Sequence, residues 1–146
     1  SKKKKYSSNM TTAILFNHDS RYRKKKFLIP RLVKSIRLKY FKKINEIYQE
    51  NISADFSHAE DICNGLYQLI ISKKNPDKLI FSANRKTFIN DLIDFLLRKN
   101  KITKIFNKNN ANINSTPIGD NSYTKKILNW KLKKNIFIAA NELNKI

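Results

Sequence analysis

One segment restricts the fold of this chain more than any other: residues 10–16 (MTTAILF), which are β-branched at first and then continuously apolar. A run of this kind is typical of a strand covered on both faces, as in a parallel sheet flanked by helices. Such a strand needs neighbouring strands and covering helices. The remainder of the 146 residues alternates short strand and helix patterns, so we predict a mixed α/β fold with a few short strands and about five helices.

The apolar spacing places the elements along the chain. Strands are predicted over 10–16, 44–48, 78–82 and 102–106. Helices are predicted over 27–40, after a capping box at 57–60, over 87–99 and 122–128, and from about residue 136. In the capping box the Ser57 hydroxyl would accept a hydrogen bond from the Glu60 amide, and Thr87 is expected to cap the next helix.

Composition sets the domain boundaries and the compartment. Residues 1–9 (SKKKKYSSN) form a basic lead-in, the Asn-rich stretch 107–116 is the least structured, and 10–146 is expected to be one unit. No run approaches the eighteen apolar residues of a membrane span, and no apolar signal region follows the first lysines. The single cysteine, Cys63, excludes an internal disulfide and is expected to fill the core. We expect a cytoplasmic protein.

The chain offers few residues for catalysis or metal binding. With only His18 and His58 beside one cysteine, no Cys/His zinc site can form, and Gly65 and Gly119 are too few for a Gly-rich phosphate loop. Tyr22-x-x-x-Lys26 has the spacing of a catalytic pair, but it lies in a polar loop and the spacing acts only on a helix. We predict no catalytic residue and no metal site.

The histidines and the charge each allow a simple interpretation. His18 follows a predicted strand, where a loop residue can meet a ligand, but spacing alone favours a histidine bonded to the backbone. His58 is expected to serve helix geometry. The net charge of +20 would suit a polyanion. Lysine far exceeds arginine, however, and the lysines are scattered among many asparagines and isoleucines. Compositional drift therefore explains the charge better than nucleic-acid binding does.

Three motifs resemble those of a known family in the right order. Residues 13–20 (AILFNHDS) resemble G-I-L-F-N-H-E-S of the GDP-mannose 4,6-dehydratases, which belong to the extended short-chain dehydrogenase/reductase superfamily. Residues 55–61 (DFSHAED) resemble D-W-G-H-A-K-D, and 118–130 resemble L-G-D-P-T-K-A-K-K-x-L-G-W. The last two motifs also occur in related nucleotide-sugar epimerases. The resemblance implies the carboxyl-terminal, substrate-binding part of a Rossmann-type enzyme over 10–146.

The resemblance assigns roles to five residues. Family members place the Asn of the first motif on the substrate, its His on the cofactor and a following Arg on the cofactor phosphate. These positions are Asn17, His18 and Arg23. An apolar residue and a Lys of the next helix contact the nucleotide in the family and correspond to Leu28 and Arg31. The implied ligands are NADP and a GDP-sugar such as GDP-mannose.

The chain departs from the family in three respects. Ala54 replaces the Arg before the second motif, and the family's R-P-x-E segment appears as residues 110–113 (NANI). The Gly-rich loop and the Tyr-x-x-x-Lys pair belong to the amino-terminal half, which would precede residue 1. We therefore expect a nucleotide-sugar-binding part that is inactive alone. Its expected protein partner is either a separate amino-terminal half or a further copy of the chain in a homo-oligomer. The alternative is a non-catalytic basic module that binds nucleic acid or another polyanion.

Overall fold

The computed structural model describes residues 10–106 and 113–146. The helices in these ranges are α1 (Leu28–Arg37), α2 (Phe41–Gln49), α3 (Ala59–Ile71), α4 (Ile89–Lys99), α5 (Ser122–Leu128) and α6 (Ile136–Asn144). The strands are β1 (Thr12–Leu15), β2 (Asn17–Asp19), β3 (Ile52–His58), β4 (Lys78–Phe81), β5 (Lys86–Phe88) and β6 (Asn114–Ser115). The predicted mixed α/β class is confirmed. The predicted lead-in over 1–9 lies outside the described residues.

Two small sheets organise the strands. In the first, β1 and β4 are parallel, with Ala13 opposite Leu79 and Leu15 opposite Phe81. In the second, β3 is central and pairs with β2 and β6 in parallel and with β5 in antiparallel orientation. The chain passes directly from β1 to β2, so one extended segment crosses from the first sheet to the second. This crossing places the polar residues of β2 directly after the carboxyl end of β1.

Each sheet has its own apolar core. The larger core packs α1, α2, α4 and α6 around β3. The smaller core lies between the β1–β4 sheet and the helices α3 and α5, where the Phe81 and Trp130 rings meet edge to face with centroids 5.3 Å apart. A Cβ at Gly65 would lie 2.7 Å from Cδ1 of Phe81, so glycine permits this approach of α3 to β4. Within the described ranges no helix is both long and apolar enough to cross a bilayer.

The strand predicted over 10–16 is confirmed, but the expectation that both of its faces are covered is not. Ile14 is 36% exposed and Leu15 is 43% exposed. The reason is that β1 has one neighbour, β4, in a sheet of two strands. The other edge of β1 and much of its surface are left open by the described residues.

The strand predicted over 44–48 is wrong, because these residues belong to α2. Ile44, Ile47 and Tyr48 are its buried residues, and their spacing of three and four positions is helical. The helix predicted over 27–40 ends earlier, at Arg37. Lys39 then takes a positive φ of 55° and separates α1 from α2. The observed helices therefore exceed the predicted number by one.

The start of α3 also differs from the prediction. The expected cap, Ser57, lies in β3, which sequence reasoning missed, and its buried Oγ has no hydrogen-bond partner among the described atoms. His58 is the N-cap instead, because its Nδ1 accepts a hydrogen bond from the Glu60 amide at 3.1 Å. His58 therefore serves helix geometry, as expected. Cys63, predicted to fill the core, is exposed on α3.

Two further local predictions are wrong, and two are confirmed. Thr87 lies in β5, and α4 begins after Phe88 without a side-chain cap. Residues 102–106 form no strand; Phe106 instead packs its ring 5.5 Å from that of Tyr48. The helices over 122–128 and from residue 136 are confirmed by α5 and α6.

Candidate functional site

The candidate site begins where the chain leaves β1. The Asn17 side chain is exposed, and its Nδ2 donates to the Asp55 carbonyl at 3.2 Å. The half-buried His18 places Nδ1 2.8 Å from the Phe16 carbonyl. Since a carbonyl only accepts, Nδ1 is the donor in this contact, which leaves Nε2 as the ring nitrogen available to a ligand. Two oriented polar groups, an amide and an imidazole, thus follow the carboxyl end of a parallel strand.

Asp19, the next residue, is a buried carboxylic acid at the end of β2. It lies opposite His58 in the β2–β3 register, and its Oδ1 accepts a hydrogen bond from the Ser20 amide at 2.9 Å. Burial raises the pKa of Asp19, although the Ser20 amide and the nearby Arg23 guanidinium act in the opposite direction. Sequence reasoning assigned no role to this residue.

Arg23 lies in the loop between β2 and α1. Its guanidinium carbon is 3.7 Å from the centroid of the Phe27 ring, which fixes the plane of the group. The Arg23 Nε is buried and has no acceptor among the described residues. A buried donor without an acceptor is unfavourable, so this nitrogen is suited to an oxygen atom of a bound anion.

Leu28 and Arg31 lie in the first turn of α1. Leu28 is half-buried against the larger core, whereas Arg31 is exposed. Because they are three residues apart, they share one face of the helix. The structure thus gathers the predicted residues into a single connection from β2 to α1. In the described ranges no hydrogen bond or ion pair joins any two of these five side chains: Asn17, His18, Arg23, Leu28 and Arg31.

Asp55 links the segment from β2 to α1 to more distant parts of the chain. The second motif alone did not indicate this role. The fully buried carboxylate of Asp55 accepts hydrogen bonds from the amides of Ala83 at 2.7 Å, Asn84 at 3.0 Å and Gly119 at 3.3 Å. Its carbonyl accepts the bond from Asn17. Asp55 therefore fixes the loop after β4 and the segment before α5 beside the end of β1. The sequence signal for this role was an acidic residue, Asp55, between the apolar residues Ala54 and Phe56.

Gly119 lies where that segment crosses the ends of β1 and β4. A Cβ there would be 2.6 Å from Cβ of Ser82 and 2.7 Å from the Phe16 ring, so only glycine fits the crossing without displacement. The Ser82 hydroxyl donates to the Gly119 carbonyl at 2.7 Å, and the Asn121 side chain donates to the Ser82 carbonyl at 2.8 Å. The glycine of the third motif is thus explained by close packing.

Asp61 organises the segment that follows the third motif. Its Oδ2 accepts hydrogen bonds from the amides of Lys133 at 2.9 Å and Lys134 at 2.8 Å. Its carbonyl accepts from Trp130 Nε1 at 2.8 Å. A cavity of about 230 Å³ lies between this segment and the loop after β4. Arg85 and the two lysines line it, so it is a cationic cavity next to the region that Asp55 fixes.

The structure shows where some of the departures from the family pattern lie. Ala54 is buried in the larger core and opposite Thr87 on β5, so this position supplies no charge. Of the segment 110–113, only Ile113 lies within the described residues, and it is exposed. The described residues also contain no group of three His, Cys, Asp or Glu side chains that could hold a metal ion.

Comparisons with known proteins are consistent with this geometry. Several solved structures resemble the fold. RMD from Pseudomonas aeruginosa complexed with NADPH has a TM-score of 0.74 and 17% identity, over 94% of this chain and 48% of that one. The dTDP-glucose 4,6-dehydratase from Bacillus anthracis in complex with NAD has a TM-score of 0.75 and 14% identity, over 98% and 46%. UDP-glucuronic acid 4-epimerase from Bacillus cereus in complex with NAD has a TM-score of 0.70 and 13% identity, over 94% of this chain and 45% of that one.

The chain spans less than half the length of each of these three solved proteins. A search of curated proteins gives no significant match. A scan against protein families matches residues 2–137, which is most of the chain, to the family described as GDP-mannose 4,6 dehydratase. The Rossmann-type fold of the neighbours, the predicted motifs and this match agree. The chain belongs to the GDP-mannose 4,6-dehydratase family, within the NAD-dependent epimerase/dehydratase enzymes of the short-chain dehydrogenase/reductase superfamily.

Proposed function

We propose that this chain is the nucleotide-sugar-binding part of a dehydratase of this family and works with a dinucleotide-binding half outside the 146 residues. The observation that carries the proposal is the position of Asn17 and His18, two oriented polar groups directly after the carboxyl end of β1. In open parallel sheets, ligands bind at the carboxyl ends of the strands. The proposed substrate is a GDP-sugar, with GDP-mannose as the first candidate.

The proposed cofactor is NADP, held in part by His18 and Arg23. The fit of Arg23 rests on its stacking over Phe27 and on the buried Nε that lacks an acceptor among the described residues, since a phosphate oxygen accepts such a bond. His18 offers Nε2, because Nδ1 is bonded to the Phe16 carbonyl. When bound, the nicotinamide would accept a hydride from the sugar and return it. The residues of this chain bind and orient; they do not transfer the hydride.

The nucleotide part of the substrate is assigned to the first turn of α1. Leu28 offers an apolar surface for a base or ribose, and Arg31 is an exposed cation on the same face for the diphosphate. Ala54 contributes no charge at a position where the family has arginine. Charge recognition in this chain therefore depends more heavily on Arg31 and Arg23.

The need for a second half is supported by the open edge of β1. A parallel pair of strands is expected inside a larger sheet with both faces covered, yet Ile14 and Leu15 are exposed. A further parallel strand on that edge would complete the sheet and place its own carboxyl end beside Asn17. The Gly-rich loop and the Tyr-x-x-x-Lys pair of the family would come from that half.

The test is a binding titration of the purified chain by isothermal calorimetry. GDP-mannose, UDP-glucuronic acid and dTDP-glucose are compared, first with the chain alone and then with the dinucleotide-binding half of a related dehydratase added in trans. We expect saturable binding of GDP-mannose that strengthens with the added half, and no conversion of the sugar by the chain alone. Binding of none of the three in either condition would refute the proposal.

A pair of variants locates that binding. Asn17→Ala should weaken GDP-mannose binding about tenfold, the effect of losing one good hydrogen bond to a charged or polar ligand. The matched control is Asn64→Ala on the exposed surface of α3, which should bind as the wild type does. Equal effects of the two substitutions would place the sugar nucleotide elsewhere.

A further inference from the structure

The cationic cavity between the loop after β4 and the segment after Trp130 has no part in the proposed function. Its volume is about 230 Å³. Three cationic side chains line it, Arg85, Lys133 and Lys134, together with the amide side chain of Asn135 and a few apolar groups. Among the described residues no acidic side chain belongs to the lining. The lining therefore offers hydrogen-bond donors and positive charge.

Two buried carboxylates hold the opposite walls of this cavity. Asp55 accepts hydrogen bonds from the two amides directly before Arg85, at 2.7 Å and 3.0 Å. Asp61 accepts hydrogen bonds from the amides of Lys133 at 2.9 Å and Lys134 at 2.8 Å. Hydrogen bonds to an ionised carboxylate are stronger than those between neutral groups. The backbone that carries the three cations is therefore fixed before any ligand binds.

The three cations are not equally compensated. Lys134 Nζ contacts the carboxylate of Glu60 and lies 3.8 Å from Oε1 of Glu142. Lys133 interacts with Glu60 only through longer-range electrostatics. Neither Arg85 nor Lys133 forms an ion pair within the described ranges. Like charges on the two walls of one cavity repel each other, so an anion between them would be favourable.

Asn135 adds a neutral donor to the cavity. Its Oδ1 accepts a hydrogen bond from the Ile138 amide at 3.2 Å, as the N-cap of α6. Its Nδ2 has no acceptor in the part of the chain that the structure describes. Because Nδ2 only donates, it suits an oxygen atom of a ligand. A guanidinium, an ammonium and an amide thus surround one space.

The size of the cavity restricts its ligand. Sites for drug-sized molecules usually have volumes of about 300–1,000 Å³, and this one is smaller. A nucleotide is therefore too large, whereas a single tetrahedral oxyanion fits. Phosphate has several acceptor oxygens that point in different directions, so it can accept from donors on both walls and can bind a guanidinium through two oxygens.

We propose that the cationic cavity binds a single phosphate group, either as inorganic phosphate or as a small phosphomonoester, through Arg85, Lys133 and Asn135. The bound anion joins the loop after β4 to the segment before α6. The inference goes beyond the proposed function, because none of the residues assigned there to the sugar nucleotide or the cofactor lines this cavity.

The experiment is a ³¹P NMR titration of the 146-residue chain with inorganic phosphate and, separately, with glycerol 3-phosphate, at an ionic strength held constant with sodium chloride. We expect saturable binding. Tighter binding of inorganic phosphate would identify a site for the free ion, and tighter binding of the ester a site for phosphomonoesters. The double variant Arg85→Gln/Lys133→Gln should weaken the binding at least tenfold. Both side chains are exposed, so the fold should be retained, and circular dichroism checks this.

The matched control is Arg98→Gln/Lys99→Gln, which also removes one arginine and one lysine, from the last turn of α4. It should change the affinity for phosphate less than twofold. Equal weakening by the two double variants would mean that net charge alone attracts the anion and would overturn the proposal. The absence of saturable binding of either phosphate would also overturn it. Displacement of the phosphate by GDP-mannose would assign the cations to the sugar-nucleotide site and would overturn a separate site.

Discussion

The carboxylate of Asp55 accepts a hydrogen bond from the amide of Gly119, which lies 64 residues later in the chain, at 3.3 Å. The same carboxylate accepts hydrogen bonds from the amides of Ala83 and Asn84. One buried acid thus joins β3, the loop after β4 and the segment before α5. The two small sheets and the candidate site between them depend on this connection.

Replacing Asp55 by asparagine should destabilise the fold by about 1–3 kcal/mol. Asparagine has one acceptor oxygen instead of two, and its amide group would face the backbone N–H groups that the carboxylate now satisfies. Urea unfolding followed by circular dichroism measures the change. Asp91→Asn, on the exposed side of α4, is the control and should change stability by less than about 0.5 kcal/mol. Equal effects of both substitutions would contradict the assigned role.

The raised pKa of Asp19 predicts a pH dependence of defined sign. Its pKa in the folded protein lies above the ordinary value of 3.8 because of burial, so the folded state favours the neutral acid. Its favourable contribution is complete below 3.8 and is lost as the pH rises through the folded-state pKa. Asp19→Asn should therefore be more stable than the wild type at pH 7, and the difference should shrink as the pH falls through the folded-state pKa of Asp19 towards 3.8. Thermal melts over this range measure it.

Asp120 provides a control of opposite sign. Hydrogen bonds from Ser122 lower the pKa of its carboxyl, so its contribution is present above the ordinary value of 3.8 and is lost as the pH falls through the lowered one. Asp120→Asn should therefore not gain stability at pH 7. If Asp19→Asn behaved like Asp120→Asn, the interpretation of Asp19 as a buried acid would be incorrect.

The sequence predicted those parts of the fold in which local pattern and tertiary environment agree. The helices over 122–128 and from residue 136, and the strands over 10–16 and 78–82, are present with small changes in their ends. Residues 44–48 satisfied both an alternating and a helical pattern. These residues form a helix because that conformation packs both Ile44 and Ile47 into the larger core. Short apolar segments cannot be resolved by periodicity alone.

The site was less accessible to sequence reasoning because its connections are long-range. The motifs gave Asn17, His18 and Arg23, and the structure places them on one connection. The role of Asp55 depends on amides at positions 83, 84 and 119, and the cap at His58 depends on where β3 ends. No local pattern specifies these partners.

The packing around Gly65 decides whether its substitution by alanine stabilises or destabilises the fold. In an open helix Gly→Ala stabilises by about 1 kcal/mol. Here the new Cβ would lie 2.7 Å from Cδ1 of Phe81, whose ring is fully buried. We expect Gly65→Ala to destabilise by about 1–3 kcal/mol. The double variant Gly65→Ala/Phe81→Leu should be less destabilised than the sum of the two single variants, because leucine removes the clashing ring. Additive effects in denaturant unfolding would contradict the close contact.

The open edge of β1 predicts self-association of the isolated chain. A strand with exposed apolar side chains and an unpaired edge readily pairs with another chain. We expect the wild type to sediment above the monomer mass at micromolar concentration. Ile14→Lys, on the open strand, should shift it towards monomer without changing its circular dichroism. Ile105→Lys is the control: Ile105 is 83% exposed but belongs to no strand, so its substitution should leave the sedimentation unchanged. A wild-type chain that is monomeric and melts in one sharp transition would show that β1 needs no further strand.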